Sequence, residues 1–268
     1  AFSDPDSGPS ANASSGVANH FLGTSEPIGR ICFAGPGPGQ QPSCSGCETC
    51  SDVFNSAENR TAFAQSTLAI IEEYQADGID LDWEYPTVPG FPGHAYAAYD
   101  RDNFSALVKA LRTAFGSRYE LSFAAGGFDA YLEQAVDWAA IMPLLDNVNI
   151  MSYDIVNGAT PHTGHHSALY STPQQKDSTD NAVQFLLRQG VAPEKIVIGA
   201  AFYARVWKDV APINNGLYQP GTHIDGYGYA EFPTAFSPAE GYEYHWDEVA
   251  QAPSYYSARH KTFATFDD

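Results

Sequence analysis

The chain is 268 residues long, and 44% of its residues are hydrophobic and 13% aromatic, which is enough for one large barrel or two small domains. Its 13 basic residues against 32 acidic ones give a formal net charge of −19, which argues against nucleic acid and anionic membrane surfaces as partners. No run of about 18 apolar residues occurs, so the sequence predicts no membrane-spanning helix.

Residues 1–46 are rich in Ser, Pro, Gly and Ala, a composition typical of loop or poorly ordered chain. They begin with alanine, without a methionine or a leader, which indicates a processed or trimmed product. Within them only residues 31–34 are typical of a short strand.

The four cysteines lie close together near this end of the chain: Cys32, Cys44, Cys47 and Cys50. The spacing of the last three is similar to that of zinc and iron–sulfur sites, but a fourth ligand at a suitable distance in sequence is missing. We therefore favour ordinary or disulfide-bonded cysteines, whose pairing the sequence leaves open.

Strand and helix patterns alternate from about residue 55 to residue 204. Asn55 with Glu58 forms a capping-box pattern that predicts the start of the first helix. The predicted elements are helix 55–76, strand 78–84, helix 102–116, strand 119–125, helix 132–144, strand 148–153, helix 179–189 and strand 196–204. This alternation indicates parallel strands connected by crossover helices. Since chemistry in such barrels gathers at the C-terminal ends of strands, we expect Glu84, Tyr153 and Arg205 to lie there.

The most informative run is 77–86, which reads Asp-Gly-Ile-Asp-Leu-Asp-Trp-Glu-Tyr-Pro. Three acids, Asp80, Asp82 and Glu84, stand at alternate positions with an apolar residue between each pair. In an extended strand, side chains alternate between faces, so the sequence predicts all three acids on one face. Carboxylates that close raise each other's pKa, which keeps one of them protonated near neutral pH and able to donate a proton.

Metal-binding interpretations of the sequence are less favoured. An EF-hand calcium loop requires glycine where Tyr85 stands, and the following Pro86 fits it poorly; an exposed acidic strand is the other alternative. The run His162-x-x-His165-His166 lies in a glycine-containing stretch and not on a helix that would align ligands, so we favour loop histidines. No phosphate-binding glycine loop or Gly-x-Ser-x-Gly motif occurs, and we expect neither metal nor other cofactor.

The acidic run, with its Trp-Glu-Tyr-Pro ending, resembles the signature of glycoside hydrolase family 18, the chitinases. The resemblance implies a (β/α)8 barrel with this motif on its fourth strand. It covers residues 47–205 as the barrel portion and residues 206–268, rich in Tyr, Gly and Pro, as a small α+β insertion. Residues 1–46 do not resemble the expected first strands, the third-strand motif is missing, and the chain ends before the eighth strand. We therefore expect a barrel without recognisable first, second and eighth strands.

The resemblance also implies roles for the acids. In this family the N-acetyl oxygen of the substrate attacks the anomeric carbon, in contrast to glycosidases that use two carboxylates. Glu84 would be the acid and base, Asp82 would hold the acetamide N–H, and Asp80 would share a proton with Asp82. Tyr153 would hydrogen-bond the acetamide oxygen.

Two further motifs carry the resemblance. Met151-Ser152-Tyr153-Asp154 is similar to the sixth-strand motif, in which Met151 would line the sugar subsite and Asp154 would bind a sugar hydroxyl. Residues 202–207 are similar to the seventh-strand motif, with alanine in place of the usual glycine at 204. Tyr203 and Arg205 would contact the sugar or Asp154, and an ordinary salt bridge from Arg205 to a barrel acid remains an equal alternative.

Aromatic residues are candidates for stacking on sugar rings. Trp83 faces away from the acids and is predicted to pack in the core, whereas Trp207 and Trp246 are predicted to stack on sugar. Tyr85 is expected to line the cleft.

The sequence thus predicts a secreted, chitinase-like hydrolase that binds chitin or chito-oligosaccharides, with the insertion favouring exo or processive action. Two alternatives stay open: a chitin-binding protein without turnover, and an endo-β-N-acetylglucosaminidase acting on glycoproteins. The oligomeric state is left open.

Overall fold

The computed structural model describes residues 49–267, except the side chain of Asp225, together with the backbone of residues 18–21 and 31–34. The two short segments form strands β1 (Ala18–Phe21) and β2 (Ile31–Ala34), which pair antiparallel. The strand predicted over 31–34 is therefore confirmed. The rest of the predicted loop over residues 1–46 lies outside the described residues, as do Cys44, Cys47 and the side chain of Cys32. Cys50 is buried and disulfide-bonded.

The remaining elements alternate as the sequence predicts up to residue 198. In the described part of the chain the helices are α1 (Cys50–Phe54), α2 (Ala57–Tyr74), α3 (Asp100–Phe115), α4 (Asp129–Gln134), α5 (Trp138–Ile141), α6 (Thr179–Arg188) and α7 (Phe232–Ala235). The strands after β2 are β3 (Gly78–Leu81), β4 (Glu120–Gly126), β5 (Asn147–Met151), β6 (Ile196–Ile198), β7 (Tyr203–Lys208), β8 (Thr222–Gly228), β9 (Tyr242–Asp247), β10 (Ala252–Ser257) and β11 (Thr262–Thr265). None of the helices in the described part of the chain is long and apolar enough to cross a membrane.

Strands β3, β4, β5 and β6 form a parallel sheet in that order, and helices connect them. Strand β4 is buried along most of its length, as expected for a parallel strand covered on both faces. Helix α3 packs against the sheet with the apolar face that the sequence predicts: Phe104, Leu107, Val108, Leu111 and Phe115 are all buried. Burial of each such side chain stabilises the fold by about 1.5–3 kcal/mol.

The start of helix α2 differs from the prediction by one residue. Ser56 is the N-cap, and its side-chain oxygen accepts a hydrogen bond from the backbone N–H of Asn59 over 3.2 Å. Asn55 cannot take this role because it ends the preceding short helix α1, which the sequence analysis missed, with helical dihedral angles of −70° and −17°.

The single helix predicted over 132–144 is also wrong, because the segment divides into α4, α5 and a 3-10 turn. Asp137 starts α5 by accepting a hydrogen bond from the backbone N–H of Ala140 over 3.1 Å. The indole N–H of Trp138 then donates to the carbonyl oxygen of Leu132 over 2.8 Å, so the break is stabilised by buried side chains.

The strand predicted over 196–204 divides as well. Strand β6 ends the parallel sheet, and β7 belongs to a five-stranded antiparallel sheet ordered β8-β7-β11-β10-β9. Gly199, whose N–H donates to the carbonyl oxygen of Ile150 over 2.9 Å, makes the last hydrogen bond beside the parallel ladder. Arg205 was predicted to lie at the C-terminal end of a barrel strand. It lies inside the antiparallel sheet instead, so this prediction is wrong. The antiparallel sheet begins at Tyr203, three residues before the predicted insertion.

The antiparallel sheet has a core cluster on each face, because successive side chains of a strand point to opposite sides. One cluster contains Ala204, Val206, Phe232, Phe236, Ala264 and Phe266. The other contains Trp207, Val210, Leu217, Tyr256 and Phe263, and half-buried Val156, from the loop after β5, packs against it. This second face fixes the loop, since the hydroxyl of Thr163 donates to the carbonyl oxygen of Gly216 over 2.5 Å.

Candidate active site

Acidic side chains gather where strand β3 ends. Asp80 lies within β3, whereas Asp82 and Glu84 follow its last residue, so the strand is shorter than the predicted 78–84. The alternation of faces still holds, because Trp83 is buried and packs against Phe54 and Phe104 in the core. The core role predicted for Trp83 is confirmed.

Asp80 is held by polar residues of the neighbouring strands. The hydroxyl of Ser122 on β4 and the amide of Asn149 on β5 both donate to Oδ1 of Asp80, the second over 2.6 Å. Ser122 lies directly in register with Asp80. Neither donor is among the predicted site residues, although a polar residue within an otherwise apolar buried strand is a signal that it faces a partner. Proton sharing between Asp80 and Asp82 stays a prediction.

Glu84 is half-buried, and its surroundings favour the protonated form. Burial raises the pKa of its carboxyl above the ordinary value of 4.5, and the negative charge of Asp154 raises it further. A hydrogen bond from Tyr85 and the nearby His94 oppose this shift but do not reverse it. A carboxyl that keeps its proton at higher pH is suited to general acid catalysis.

Tyr85 lies beside this acid in an aromatic corner. Its ring contacts the rings of Phe128 and Tyr131, with centroids 5.3 and 5.2 Å away. Burial first, and then the charge of Glu84, raises the pKa of the Tyr85 hydroxyl, which therefore remains a hydrogen-bond donor. His94 faces the backbone of Tyr85, with Nε2 2.9 Å from the nitrogen and 2.8 Å from the carbonyl oxygen. His94 is not among the predicted site residues.

Tyr153 follows the end of β5, at the same edge of the sheet as Glu84. Burial raises the pKa of its hydroxyl, and the charges of Asp82, Glu84, Asp154 and Asp80 add to this in decreasing order. Tyr153 and Glu84 thus both follow the C-terminal ends of neighbouring parts of the parallel sheet, where the sequence predicts them. A phenol with a raised pKa stays protonated and can donate a hydrogen bond.

Asp154 and Arg205 form the main ion pair of the site. Arg205 is bidentate, with Nε 2.6 Å from Oδ1 and Nη2 2.5 Å from Oδ2 of Asp154. Burial alone would raise the pKa of Asp154, but hydrogen bonds from Arg205 and His166 outweigh it and hold that pKa well below its usual range. Tyr203 also hydrogen-bonds Asp154, and the guanidinium lies 4.8 Å from its ring centroid. This contact with Asp154 is allowed by both interpretations of Arg205, and direct contact of Arg205 with a sugar stays a prediction.

Trp207 cannot stack on a sugar, so this prediction is wrong. Its side chain is fully buried between strands of the antiparallel sheet, where it contacts the rings of His223 and Phe263. Trp246 on β9 is 42% exposed, and its stacking role stays a prediction. Met151 ends β5 half-buried, and its subsite role likewise stays a prediction.

The histidines of the predicted loop lie between β5 and α6, outside any helix or strand. His165 and His166 are fully buried, whereas His162 forms an isolated bridge to Pro220. Among residues 49–267, no group of three or more His, Cys, Asp or Glu side chains is arranged to hold a metal ion.

A family model, related sequences and solved structures all relate this chain to one family of enzymes. Residues 45–268 match the model of glycosyl hydrolases family 18. The chain is 30% identical over 247 residues to Chitinase A1 of Niallia circulans, covering 81% of this chain and 34% of that protein. It is similar in structure to a family 18 N-acetylglucosaminidase from Paenibacillus barengoltzii, with a TM-score of 0.76, 36% identity and coverage of 83% of this chain and 69% of that one. For chitinase ChiA74 from Bacillus thuringiensis the TM-score is 0.77 at 31% identity, with 82% and 40% covered. The chain thus spans about a third of the length of Chitinase A1.

Proposed function

Because this chain belongs to glycosyl hydrolases family 18, whose fold is the (β/α)8 barrel, we propose that it cleaves β-1,4 bonds between N-acetylglucosamine units. Strands β3 to β6 with their helices are part of that barrel, and the acids lie at the C-terminal ends of its strands, where barrel enzymes place their chemistry. The observation that carries the proposal is the place of Glu84 just after the end of β3, where partial burial and then the charge of Asp154 raise the pKa of its carboxyl.

In the proposed reaction, Glu84 donates its proton to the departing glycosidic oxygen as the bond to the anomeric carbon breaks. The acetamide oxygen of the same sugar attacks that carbon and forms a cyclic oxazolinium ion. Glu84, now a carboxylate, takes a proton from water as the water oxygen bonds to the anomeric carbon. The bond from that carbon to the acetamide oxygen breaks, which restores the acetamide and gives net retention of configuration. The enzyme thus needs one acid and base, with the nucleophile supplied by the substrate.

The neighbouring residues position and stabilise this chemistry. Asp82 accepts the acetamide N–H and stabilises the positive charge of the oxazolinium ion, and Tyr153 donates to the acetamide oxygen. Asp80, fixed by Ser122 and Asn149, supports Asp82 from below. These hydrogen bonds hold the acetamide in line with the anomeric carbon.

The sugar itself is held by the rim of the site. Asp154, kept ionised by Arg205, accepts a hydrogen bond from a sugar hydroxyl. Tyr85, Tyr203 and Met151 line the subsite, and Trp246 stacks on a more distant sugar.

The proposal is tested by the hydrolysis of a fluorogenic chitobioside by Glu84→Gln. Glutamine keeps the shape but cannot donate a proton to the leaving oxygen, so we expect kcat to fall by about 10²–10⁴-fold with substrate binding retained. Glu72→Gln, an exposed residue of α2, is the matched control and should keep full activity. Equal activity of Glu84→Gln and the wild type would refute the assignment.

A second activity is supported by the similarity to an N-acetylglucosaminidase, which favours release of single sugars. A fluorogenic N-acetylglucosaminide, the chitobioside and a high-mannose glycoprotein, assayed side by side, distinguish exo release, chitinase action and endo-β-N-acetylglucosaminidase action. Binding of chito-oligosaccharides with no turnover on any of them would identify a binding protein.

We further propose that the protein acts outside the cell. The disulfide bond of Cys50 supports this, because structural disulfides persist in oxidising compartments. Immunoblotting of culture supernatant against cell lysate from the source organism tests the proposal, and exclusive recovery from the lysate would contradict it.

A further inference from the structure

Two adjacent histidines, His165 and His166, are buried between the loop after β5 and the antiparallel sheet, and the proposed reaction uses neither. They have different partners. Nε2 of His165 lies 3.1 Å from Oδ2 of Asp247 on β9, whereas the ring of His166 faces Asp154. His165 therefore ties the loop to the sheet, and His166 lies against a residue of the site.

The His166 ring contacts Asp154 through a single nitrogen. The backbone N–H of Asp154 donates to Nδ1 over 3.4 Å, and Oδ1 of the same residue lies 3.7 Å from Nδ1. The ring also packs against that of Tyr203, with centroids 5.2 Å apart. His166 thus contacts the backbone of Asp154, its carboxylate and a second residue that hydrogen-bonds that carboxylate.

The position of this ring is set by the backbone of His166. Its N–H donates to the hydroxyl of Thr265 on β11 over 3.1 Å, and its carbonyl oxygen accepts from the N–H of Ile155 over 3.1 Å. The ring is therefore held by the antiparallel sheet on one side and by the chain next to Asp154 on the other.

The surroundings of the second ring nitrogen, Nε2, indicate that His166 does not serve to stabilise the fold. Nε2 of His166 is buried, and the described residues provide no hydrogen-bond partner for it. A buried polar atom without a partner lowers the free energy of unfolding, and a phenylalanine of similar shape would avoid that cost. The hydrogen bonding that the ring does perform is directed at Asp154.

Asp154 is a residue whose conformation needs support. Its φ of 55° lies in the left-handed region, which non-glycine residues adopt only at some cost in energy. Arg205 fixes the far end of the side chain, but His166 is the residue that contacts both its backbone N–H and its carboxylate. Together they determine where the carboxylate points.

We propose that His166 is a positioning residue that holds Asp154 in its left-handed conformation and thereby sets the affinity of the site for the N-acetylglucosamine chain. The inference rests on the proposed function, because the ligand is the substrate of that reaction. His166 acts through Asp154 and touches no reacting atom.

The test is a double-mutant cycle with His166→Phe, which keeps the ring, and Asp154→Gly, which adopts the left-handed conformation freely and removes the carboxylate. The dissociation constant for chitotetraose is measured by calorimetry in a Glu84→Gln background, and KM and kcat are measured in the active enzyme. We expect His166→Phe to raise the dissociation constant and KM roughly tenfold, the loss of about one hydrogen bond, with a smaller change in kcat. In the Asp154→Gly background the same substitution should change affinity less than about twofold.

His166→Asn is the conservative variant, because its amide can occupy the place of Nδ1, and we expect it to recover most of the affinity. If His166→Phe does not fold, His166→Leu replaces it with the same expectations. An equal loss in the Asp154→Gly background, or a His166→Asn variant no better than His166→Phe, would overturn the inference. If the wild-type protein binds chitotetraose but does not hydrolyse it, the proposed function is refuted and the inference about His166 is not. The two can be distinguished because the dissociation constants of the double-mutant cycle are measured without turnover.

Discussion

The ring of Tyr153 occupies the space that a side chain at Gly199 would need. A Cβ at Gly199 would lie 2.8 Å from Cε1 of Tyr153 and 2.9 Å from the carbonyl oxygen of Ile150. Gly199 directly follows the last residue of β6, and Tyr153 follows the end of the neighbouring strand β5. The absence of a side chain at Gly199 therefore leaves space for the Tyr153 ring. The position of the Tyr153 hydroxyl among the acids thus depends on a residue that contributes no functional group.

Gly199→Ala should therefore displace the Tyr153 ring and lower kcat by about tenfold or more, because a small misplacement of a catalytic group is costly. The measurement is kcat on the fluorogenic chitobioside. Gly228→Ala is the matched control: its Cβ would lie 3.4 Å from Oε2 of Glu231, an ordinary contact, so activity should be unchanged. Equal kcat for the two alanine variants would show that the Tyr153 ring adjusts without loss.

Much of the site could be predicted because its residues follow a simple period. Asp80, Asp82 and Glu84 alternate with apolar residues, and alternation alone places them on one face. The alternation of strands and helices likewise indicated a parallel sheet, whose C-terminal edge brings Tyr153 to the same place as Glu84.

The remaining features depend on contacts that a local pattern does not contain. Trp207 stands on a strand, but alternation does not tell which face of that strand a second layer will cover. The stretch from Ile196 to Ala204 is apolar throughout, with Gly199 as its only interruption, so nothing local separates β6 from β7. His166 meets Asp154 only because a loop folds back under a sheet formed by residues beyond 203.

The raised pKa of Glu84 predicts a gain in stability on its substitution. Because the folded state binds the proton more tightly than the unfolded state, Glu84 stabilises the fold fully below its unfolded pKa, and this contribution is lost as pH rises through the folded pKa. Glu84→Gln should therefore have a higher melting temperature than the wild type at pH 7–8, with the difference disappearing below about pH 4. Thermal unfolding across this pH range is the measurement. A lower melting temperature of the variant at neutral pH would contradict a raised pKa of the Glu84 carboxyl.

The charge of Asp154 predicts a shift in the pH profile of the reaction. Glu84 must be protonated to act as an acid, so kcat/KM falls as pH rises through its pKa. Asp154→Asn removes a negative charge that raises this pKa, and the basic limb of the profile should move to lower pH. The profile is measured on the soluble chitobioside, with Asp180→Asn, on the first turn of α6, as the charge control. If the pH at which kcat/KM falls is the same in Asp154→Asn and the wild type, Asp154 does not raise the pKa of Glu84 and its role is limited to sugar binding.

The bidentate geometry of Arg205 can be tested without changing its charge. Arg205→Lys keeps one positive charge but loses the paired hydrogen bonds to Asp154. The side chains of Arg205 and Asp154 are 30% and 32% exposed, so solvent partly screens the ion pair. We therefore expect Arg205→Lys to lower the free energy of unfolding at pH 7 by only about 1 kcal/mol. Since the pKa of Asp154 is lowered well below its usual range in the folded state, its stabilisation is fully present above about pH 4 and decreases progressively as pH falls from there through the folded-state pKa. Urea unfolding at pH 7 and pH 3 should therefore show a difference that shrinks at the lower pH. The exposed Arg188→Lys is the control, and a difference as large at pH 3 as at pH 7 would point to packing.

Substitution of the two tryptophans of the antiparallel sheet, Trp207 and Trp246, should affect different properties, the first the stability of the fold and the second the binding of sugar. Trp207 is fully buried, so Trp207→Ala removes a large core side chain and should lower the free energy of unfolding by about 3–5 kcal/mol. Trp246 is 42% exposed, and Trp246→Ala should change stability by less than about 0.5 kcal/mol. If Trp246 stacks on the sugar chain, its substitution should raise KM for long chito-oligosaccharides more than for the chitobioside, because only a long chain reaches a distant aromatic residue. Denaturant unfolding and KM for both substrate lengths are the measurements. An equal KM for wild type and Trp246→Ala on every chain length would remove Trp246 from the binding surface.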